Sequence, residues 1–149
     1  MSKLVDVKIK LVREGAIIPT YAHTTDAGVD LVSMIDITLA PHSTGTVIPT
    51  GIAIGLPLGY EAQVRAKSGN SMKTTLRISN SIGTVDSGFI GEIGVIVDNI
   101  GEEPLFIPKG KGIAQLVLKE QPLFNFIPTD ELEETDRGEG GYGSSNRGI

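Results

Sequence analysis

Chemistry is concentrated in a few short segments of the chain. Gly83-Thr84-Val85-Asp86-Ser87-Gly88-Phe89-Ile90-Gly91-Glu92 is the densest glycine segment before the C-terminal tail. A carboxylate flanked by glycine turns and preceded by Asn80 can serve as a general base for water, with Phe89 walling a ligand pocket. A hairpin with Asp in its turn is the equally plain alternative. Lys67-Ser68-Gly69 directly follows an alternating apolar/polar run. Such a strand end can aim an ammonium, a hydroxyl and an unobstructed backbone N–H at one cluster of oxygens. An ordinary turn with a solvated Lys is the commoner meaning of that tripeptide. Asp26 and Asp30 stand four apart. They are too few for a Ca²⁺ cage, but enough for a hydrated Mg²⁺ that arrives with phosphates. His23 beside them reads as a surface or capping residue. Gln115 lies in an apolar run, where its amide needs partners, either structural or in a site.

The last segment with chemical content is Arg137 to Ser145. Gly138-Glu139-Gly140-Gly141-Tyr142-Gly143 matches G-x-G-x-x-G literally, yet the chain ends six residues later and no helix can follow. As a dinucleotide fingerprint it therefore fails. What remains is accessible backbone N–H, with Arg137, Ser144 and Ser145 as side-chain donors for anions. Tyr142, alone among glycines, has no local core to join, so stacking on a base suits it.

These segments must be held by a scaffold, and composition limits which. The chain has 149 residues, no Cys, two His and a net charge of -5. That is about one domain, able to bury a core without covalent staples. Thiolate chemistry is excluded, and a multi-His metal site or a Ser-His-Asp relay is hard to build. The acidic balance argues against stable nucleic-acid binding, which needs a basic face. A local cluster of cations still suffices for a nucleotide. No apolar run approaches a membrane span, and no signal-like stretch opens the sequence. A soluble protein of the reducing cytoplasm is expected.

Period-two alternation marks strands. It runs from Leu4 to Val12, from Ile35 to Leu39 and from Tyr60 to Lys67. Ile93–Val97 and Ile113–Leu118 are more uniformly apolar, which predicts strands covered on both faces. Pro41-His42-Ser43, Pro57-Leu58-Gly59, Asn99-Ile100-Gly101 and Pro108-Lys109-Gly110 punctuate them as turns. Ser68–Ile78 is the one plausible short helix, capped by Ser68 or Asn70. The expected class is all-β: a sandwich, jelly roll or small barrel. After Pro128 the character changes. Residues 130–139 carry six acidic side chains and one Arg, followed by GGYGSSNRGI. The expected division is a β domain over 1–128 and an acidic linker with a glycine-rich arm over 129–149.

Taken in order, five segments resemble the five motifs of the trimeric deoxyuridine triphosphate nucleotidohydrolases. They are AGVDL at 27–31, AKSG at 66–69, NSIGTVDSGFIGE at 80–92, GKGIAQLV at 110–117 and RGEGGYGSS at 137–145. The resemblance implies a jelly-roll-like β-fold and a homotrimer with sites shared between subunits. It also implies Mg²⁺-assisted cleavage of dUTP to dUMP and pyrophosphate. By position, Asp86 matches the water-activating carboxylate and Asp30 the carboxylate near the hydrated metal. Asn80 with the hairpin backbone of Gly83 and Val85 matches the uracil reader, and Phe89 the ring beneath the deoxyribose. Lys67, Ser68, Gly69 and Gln115 match phosphate contacts. Arg137, Gly141, Gly143, Ser144 and Ser145 match the arm over the γ-phosphate, with Tyr142 covering the uracil.

Three positions depart from that pattern. Lys67 stands where Arg is usual, keeping the charge and losing the bidentate fork. Phe89 stands where Tyr is usual, keeping the ring and losing its hydroxyl. Val29 stands where an aromatic is frequent, a change expected to be structural. A dCTP deaminase of similar fold is the nearest rival, but its deaminating Glu would fall at Ile96, which cannot transfer protons. A dUTP-sensing regulatory protein is the rival from another class.

Overall fold

The computed structural model describes residues 2–145, so residues 146–149 of the expected arm lie outside the described residues. Ten strands and one short helix follow in the order β1 (Lys8–Leu11), β2 (Val29–Val32), β3 (Ile37–Leu39), β4 (Thr46–Gly55), β5 (Tyr60–Arg65), α1 (Ser68–Lys73), β6 (Leu76–Ile78), β7 (Gly83–Val85), β8 (Glu92–Asn99), β9 (Leu105–Ile107) and β10 (Gly112–Glu120). One sheet has the order β1-β4-β8-β6 and a second β2-β10-β5-β7, while β3 and β9 form a separate ribbon. Every pairing is antiparallel. The two four-stranded sheets enclose a shared core that includes Leu31, Ile48, Ile52, Val64, Val95, Val97 and Ile113. This is the all-β class expected from the alternation, and the jelly-roll-like fold that the resemblance implies. Among the described residues no helix is long and apolar enough to cross a membrane.

Several local expectations needed correction. The helix spans only Ser68–Lys73, and neither Ser68 nor Asn70 caps it: Lys67 is the N-cap, in extended conformation, with no side-chain cap bond. Asn70 is buried instead and donates from Nδ2 to the Gly112 carbonyl at 2.9 Å, fastening the helix to β10. The helix stops early because Thr74 and Thr75 precede the β-forming run that becomes β6. β8 is not covered equally on both faces. Ile93, Val95 and Val97 are buried, whereas Gly94 and Ile96 are half-buried on the other side. The N-terminal strand is shorter than its alternation, beginning at Lys8 and leaving Leu4 exposed. Asn99 is not in a surface turn. It ends β8 fully buried, donating to the carbonyls of Leu39, Ala40 and Glu103. Those bonds satisfy an amide that would be costly to bury alone.

The start of β8 is anchored by a pair far apart in sequence. Glu92 accepts from Arg13 Nε at 2.6 Å and from its Nη2 at 3.0 Å. It also accepts from the Gly51 N–H at 2.9 Å. Arg13, and then the Gly51 N–H, hold the Glu92 carboxyl below its ordinary value against an opposing effect of burial. The register shift of β4 between Pro49 and Ala53 brings Gly51 to that carboxylate.

Candidate active site

The glycine-rich segment is not a hairpin: it links β7, paired with β5 in one sheet, to β8, paired with β4 and β6 in the other. The Phe89 N–H donates to the Asp86 carbonyl at 3.0 Å, closing a turn that keeps acid and ring together. Beside this link lies an open cavity of about 230 Å³. Its lining includes Asn80, Gly83, Val85, Asp86, Phe89 and Ile96, so the segment that sequence singled out closes on one pocket. Asp86 is exposed at its rim, and Phe89 is 45% exposed. Val64 and Ile93 form apolar walls, which residue chemistry alone did not mark. The available signal was alternation around Val64 in β5 and the apolar run that holds Ile93 in β8; both side chains are buried. Ile96 lines the cavity with an apolar side chain, so deamination is not favoured.

A second group gathers elsewhere on the same sheet. In register, Gln115 of β10 stands between Asp30 of β2 and Arg65 of β5. Lys67 lies two residues beyond Arg65, and its Nζ donates to Asp30 Oδ1 at 2.5 Å. Gln115 donates from Nε2 to the Ala66 carbonyl at 3.1 Å, which fixes which end of its amide faces outward. Gly28 makes this placement possible: a Cβ there would lie 3.0 Å from Gln115 Oε1 and 2.9 Å from Val117 Cγ2. Ser68 and Gly69 open α1, where the first N–H groups have no acceptor within a helix. The group therefore offers one ammonium, one amide, one hydroxyl and free backbone donors within a few residues.

Asp26 does not join Asp30. It accepts from the His23 N–H at 2.9 Å and lies 3.2 Å from His23 Nδ1, a local cap of an exposed loop. Among the described residues no three His, Cys, Asp or Glu side chains gather to hold a metal ion. Asp30 is half-exposed and already paired with Lys67. Such a donor set suits an outer contact to a hydrated cation, not a protein-made cage.

Within the cavity group, Gly83 pairs with Val64 near the Lys67 end of β5, whereas Asp86 lies toward the other end. Val85 of β7 pairs with Ala62, which places Asp86 beside Glu61. Glu61 to Arg65 is four steps, roughly 13 Å of strand, and Lys67 is two residues further. A Lys side chain cannot span that gap. Asp86 and Lys67 of one chain therefore cannot converge on one reacting phosphate.

The C-terminal segment is a series of turns. The Gly138, Gly140 and Ser144 N–H groups donate to the carbonyls of Thr135, Arg137 and Gly141. Arg137 Nε donates to the Gly140 carbonyl at 2.7 Å. Tyr142 is fully exposed with φ 33, and Gly143 has φ 91. Ser145 is exposed too, as are the other described residues of 129–145. Among the described residues no hydrogen bond joins the arm to the cavity or to the Lys67 group. Before the arm, Leu123, Phe124, Phe126 and Ile127 are all largely exposed, with the two Phe rings stacked at 4.8 Å.

Comparison with known proteins agrees with these features. The dUTPase family model matches residues 14–146. The deoxyuridine 5'-triphosphate nucleotidohydrolase of Clostridium tetani is 43% identical over 141 residues, covering 95% of this chain and 97% of that protein. Its counterpart in Clostridium novyi is 44% identical over 137 residues, covering 92% and 96%. Among solved structures, a variant of the Staphylococcus bacteriophage 80alpha dUTPase with dUpNHpp superposes with a TM-score of 0.83 at 29% identity, covering 94% of this chain and 98% of that one. A variant of the dUTPase from phage phi11 of S. aureus, described with a structural Mg(II) ion, gives 0.78 at 27% identity, covering 87% and 100%. A sequence match along nearly the whole chain, on a fold of the same shape, leaves one conclusion: the chain belongs to the dUTPase family.

Proposed function

We propose that this chain hydrolyses dUTP to dUMP and pyrophosphate as a homotrimer with shared sites. The observation that carries the reading is the cavity beside the β7–β8 link: Asn80, Gly83, Val85, Asp86 and Phe89 line one pocket. Asn80 and the backbone at Gly83 and Val85 read the uracil edge through donors and acceptors. Phe89 packs beneath the deoxyribose and crowds the place of a ribose 2′-OH. Asp86, exposed at the rim, takes the proton of the attacking water at the α-phosphate. Lys67, Ser68, Gly69 and Gln115 hold phosphate oxygens and neutralise the charge that spreads during in-line attack. Arg137, Ser144 and Ser145, with the N–H groups near Gly141 and Gly143, close over the γ-phosphate, and Tyr142 stacks on the base.

The division of one chain's residues into two groups supports sharing. Asp86 needs a phosphate cluster that its own chain holds at the far end of β5, so another copy supplies it. The exposed Leu123, Phe124, Phe126 and Ile127 also call for a covering chain. The β domain 1–128 then carries the two half-sites, and residues 129–149 serve as linker and arm. Asp30, half-exposed beside Lys67, fits the water shell of a Mg²⁺ carried by the triphosphate. When bound, Mg²⁺ neutralises phosphate charge.

The test is release of pyrophosphate and of ammonia from dUTP, dCTP, UTP and dTTP, with and without Mg²⁺. Pyrophosphate from dUTP alone, without ammonia, is expected. Ammonia from dCTP, or equal turnover of dTTP, would refute the reading.

A further inference from the structure

Gly91 stands against the ring of Phe89. A Cβ built on Gly91 would lie 2.9 Å from Phe89 Cζ and 3.2 Å from Cε1. Carbon atoms in ordinary contact stay near 3.5–4.0 Å. The ring therefore occupies the volume that any side chain at 91 would claim. Gly91 has no left-handed backbone that would itself demand glycine, so the conflict is with the ring alone. The ring is 45% exposed, and the backbone that carries it is held by the turn bond from the Phe89 N–H to the Asp86 carbonyl. The ring can swing toward solvent if pushed, but it cannot do so and keep its place in the cavity.

We propose that Gly91 is a positioning residue for sugar selection: by lacking a Cβ it seats the Phe89 ring where a ribose 2′-OH would have to lie. The proposal rests on the sugar-packing role given to Phe89. A ring leaning on a flat backbone has one stable tilt, and a steric filter is only as sharp as the wall that makes it. A methyl at position 91 forces the ring off that tilt while leaving its chemistry unchanged. A displacement on this scale is enough to spoil a geometric test.

The experiment is a double-mutant cycle read as the ratio of kcat/KM for dUTP to that for UTP. Gly91→Ala is expected to reduce the ratio by about tenfold. Phe89→Ala reduces it too. Gly91→Ala added to Phe89→Ala leaves the ratio where Phe89→Ala put it, since the methyl then meets no ring. An equal reduction in both backgrounds would mean a general defect of the β7–β8 link and would overturn the proposal. So would an unchanged ratio in Gly91→Ala when Phe89→Ala lowers it. An unchanged ratio in Phe89→Ala would remove the sugar-packing role and the proposal with it, while the parent's pyrophosphate release from dUTP separately tests the hydrolase reading. If Gly91→Ala fails to fold, pairing it with Phe89→Leu, which lacks the struck Cζ, is expected to restore folding. Failure in both backgrounds would overturn the proposal.

Discussion

Asp86→Asn and a double variant, Lys67→Ala with Gln115→Ala, provide a test in which each protein alone is inactive and their mixture is not. The reasoning is geometric. β5 separates Asp86 from the Lys67 group by at least four strand steps, roughly 13 Å, so each reaction site draws its base from one chain and its phosphate cluster from another. Asp86→Asn removes the proton acceptor and lowers turnover by on the order of 10²-fold. Removing the ammonium and the amide leaves the triphosphate poorly neutralised and should cost at least as much. In a trimer rebuilt from equal amounts of both proteins, a site works when its base comes from the double variant and its cluster from Asp86→Asn. Those choices are independent, each with even odds, so about one site in four recovers. Pyrophosphate release should climb to about a quarter of the parent rate, from about one per cent before mixing. Subunits are exchanged under mild denaturant and hetero-oligomers confirmed by native mass spectrometry. If hetero-oligomers are present and the rate stays at background, base and cluster act within one chain, and the separation along β5 has been misread.

Further outcomes follow from the same geometry. Asp86→Asn should still bind a non-hydrolysable dUTP analogue as tightly as the parent or better, measured by calorimetry, because it loses charge and keeps shape. Deletion after Asp136 should leave melting temperature and oligomeric state unchanged while kcat/KM falls on the order of 10²-fold or more. A change of assembly would show that the arm is structural. Arg13→Gln should lower Tm at neutral pH. Glu92 is held below its ordinary value of 4.5 by Arg13, so this stabilisation exists above the unfolded value and is lost as pH falls through the folded one. The Tm gap from the parent should therefore close in acid; a gap constant with pH would assign the effect to packing.

Much of the fold was legible because strands with one wet face write their period into sequence. Tyr60, Ala62 and Val64 alternate with Glu61 and Gln63, and β5 obeys. The cavity was legible in part, since its acid, ring and glycines are local. Partners distant along the chain were not. Arg13 reaches Glu92 across 79 positions, and Asn70 reaches Gly112 across 42. Neither residue type announces its partner. The helix also failed to follow its pattern: a polar Asn that suits a cap was drawn inward by an available carbonyl, and two Thr ended the helix before Ile78.

The glycines carry a further lesson about what motifs encode. Read as sequence, the glycines around Asp86 suggest turns that flank a carboxylate. In the folded chain Gly28, Gly83 and Gly91 make room for neighbouring side chains. Gly28 leaves space for the Gln115 amide, and Gly91 for the Phe89 ring. A Cβ on Gly83 would stand 3.0 Å from Val64 Cβ and 3.2 Å from Asn80 Nδ2. Each seats a residue assigned to the substrate, so the glycine fixes a rotamer rather than a ligand. Precision at a contact side chain comes from what lies behind it, and behind these three lies bare backbone. A motif of this kind therefore spells pairs, a contact residue and the glycine it rests on, and substituting either member should damage the same discrimination.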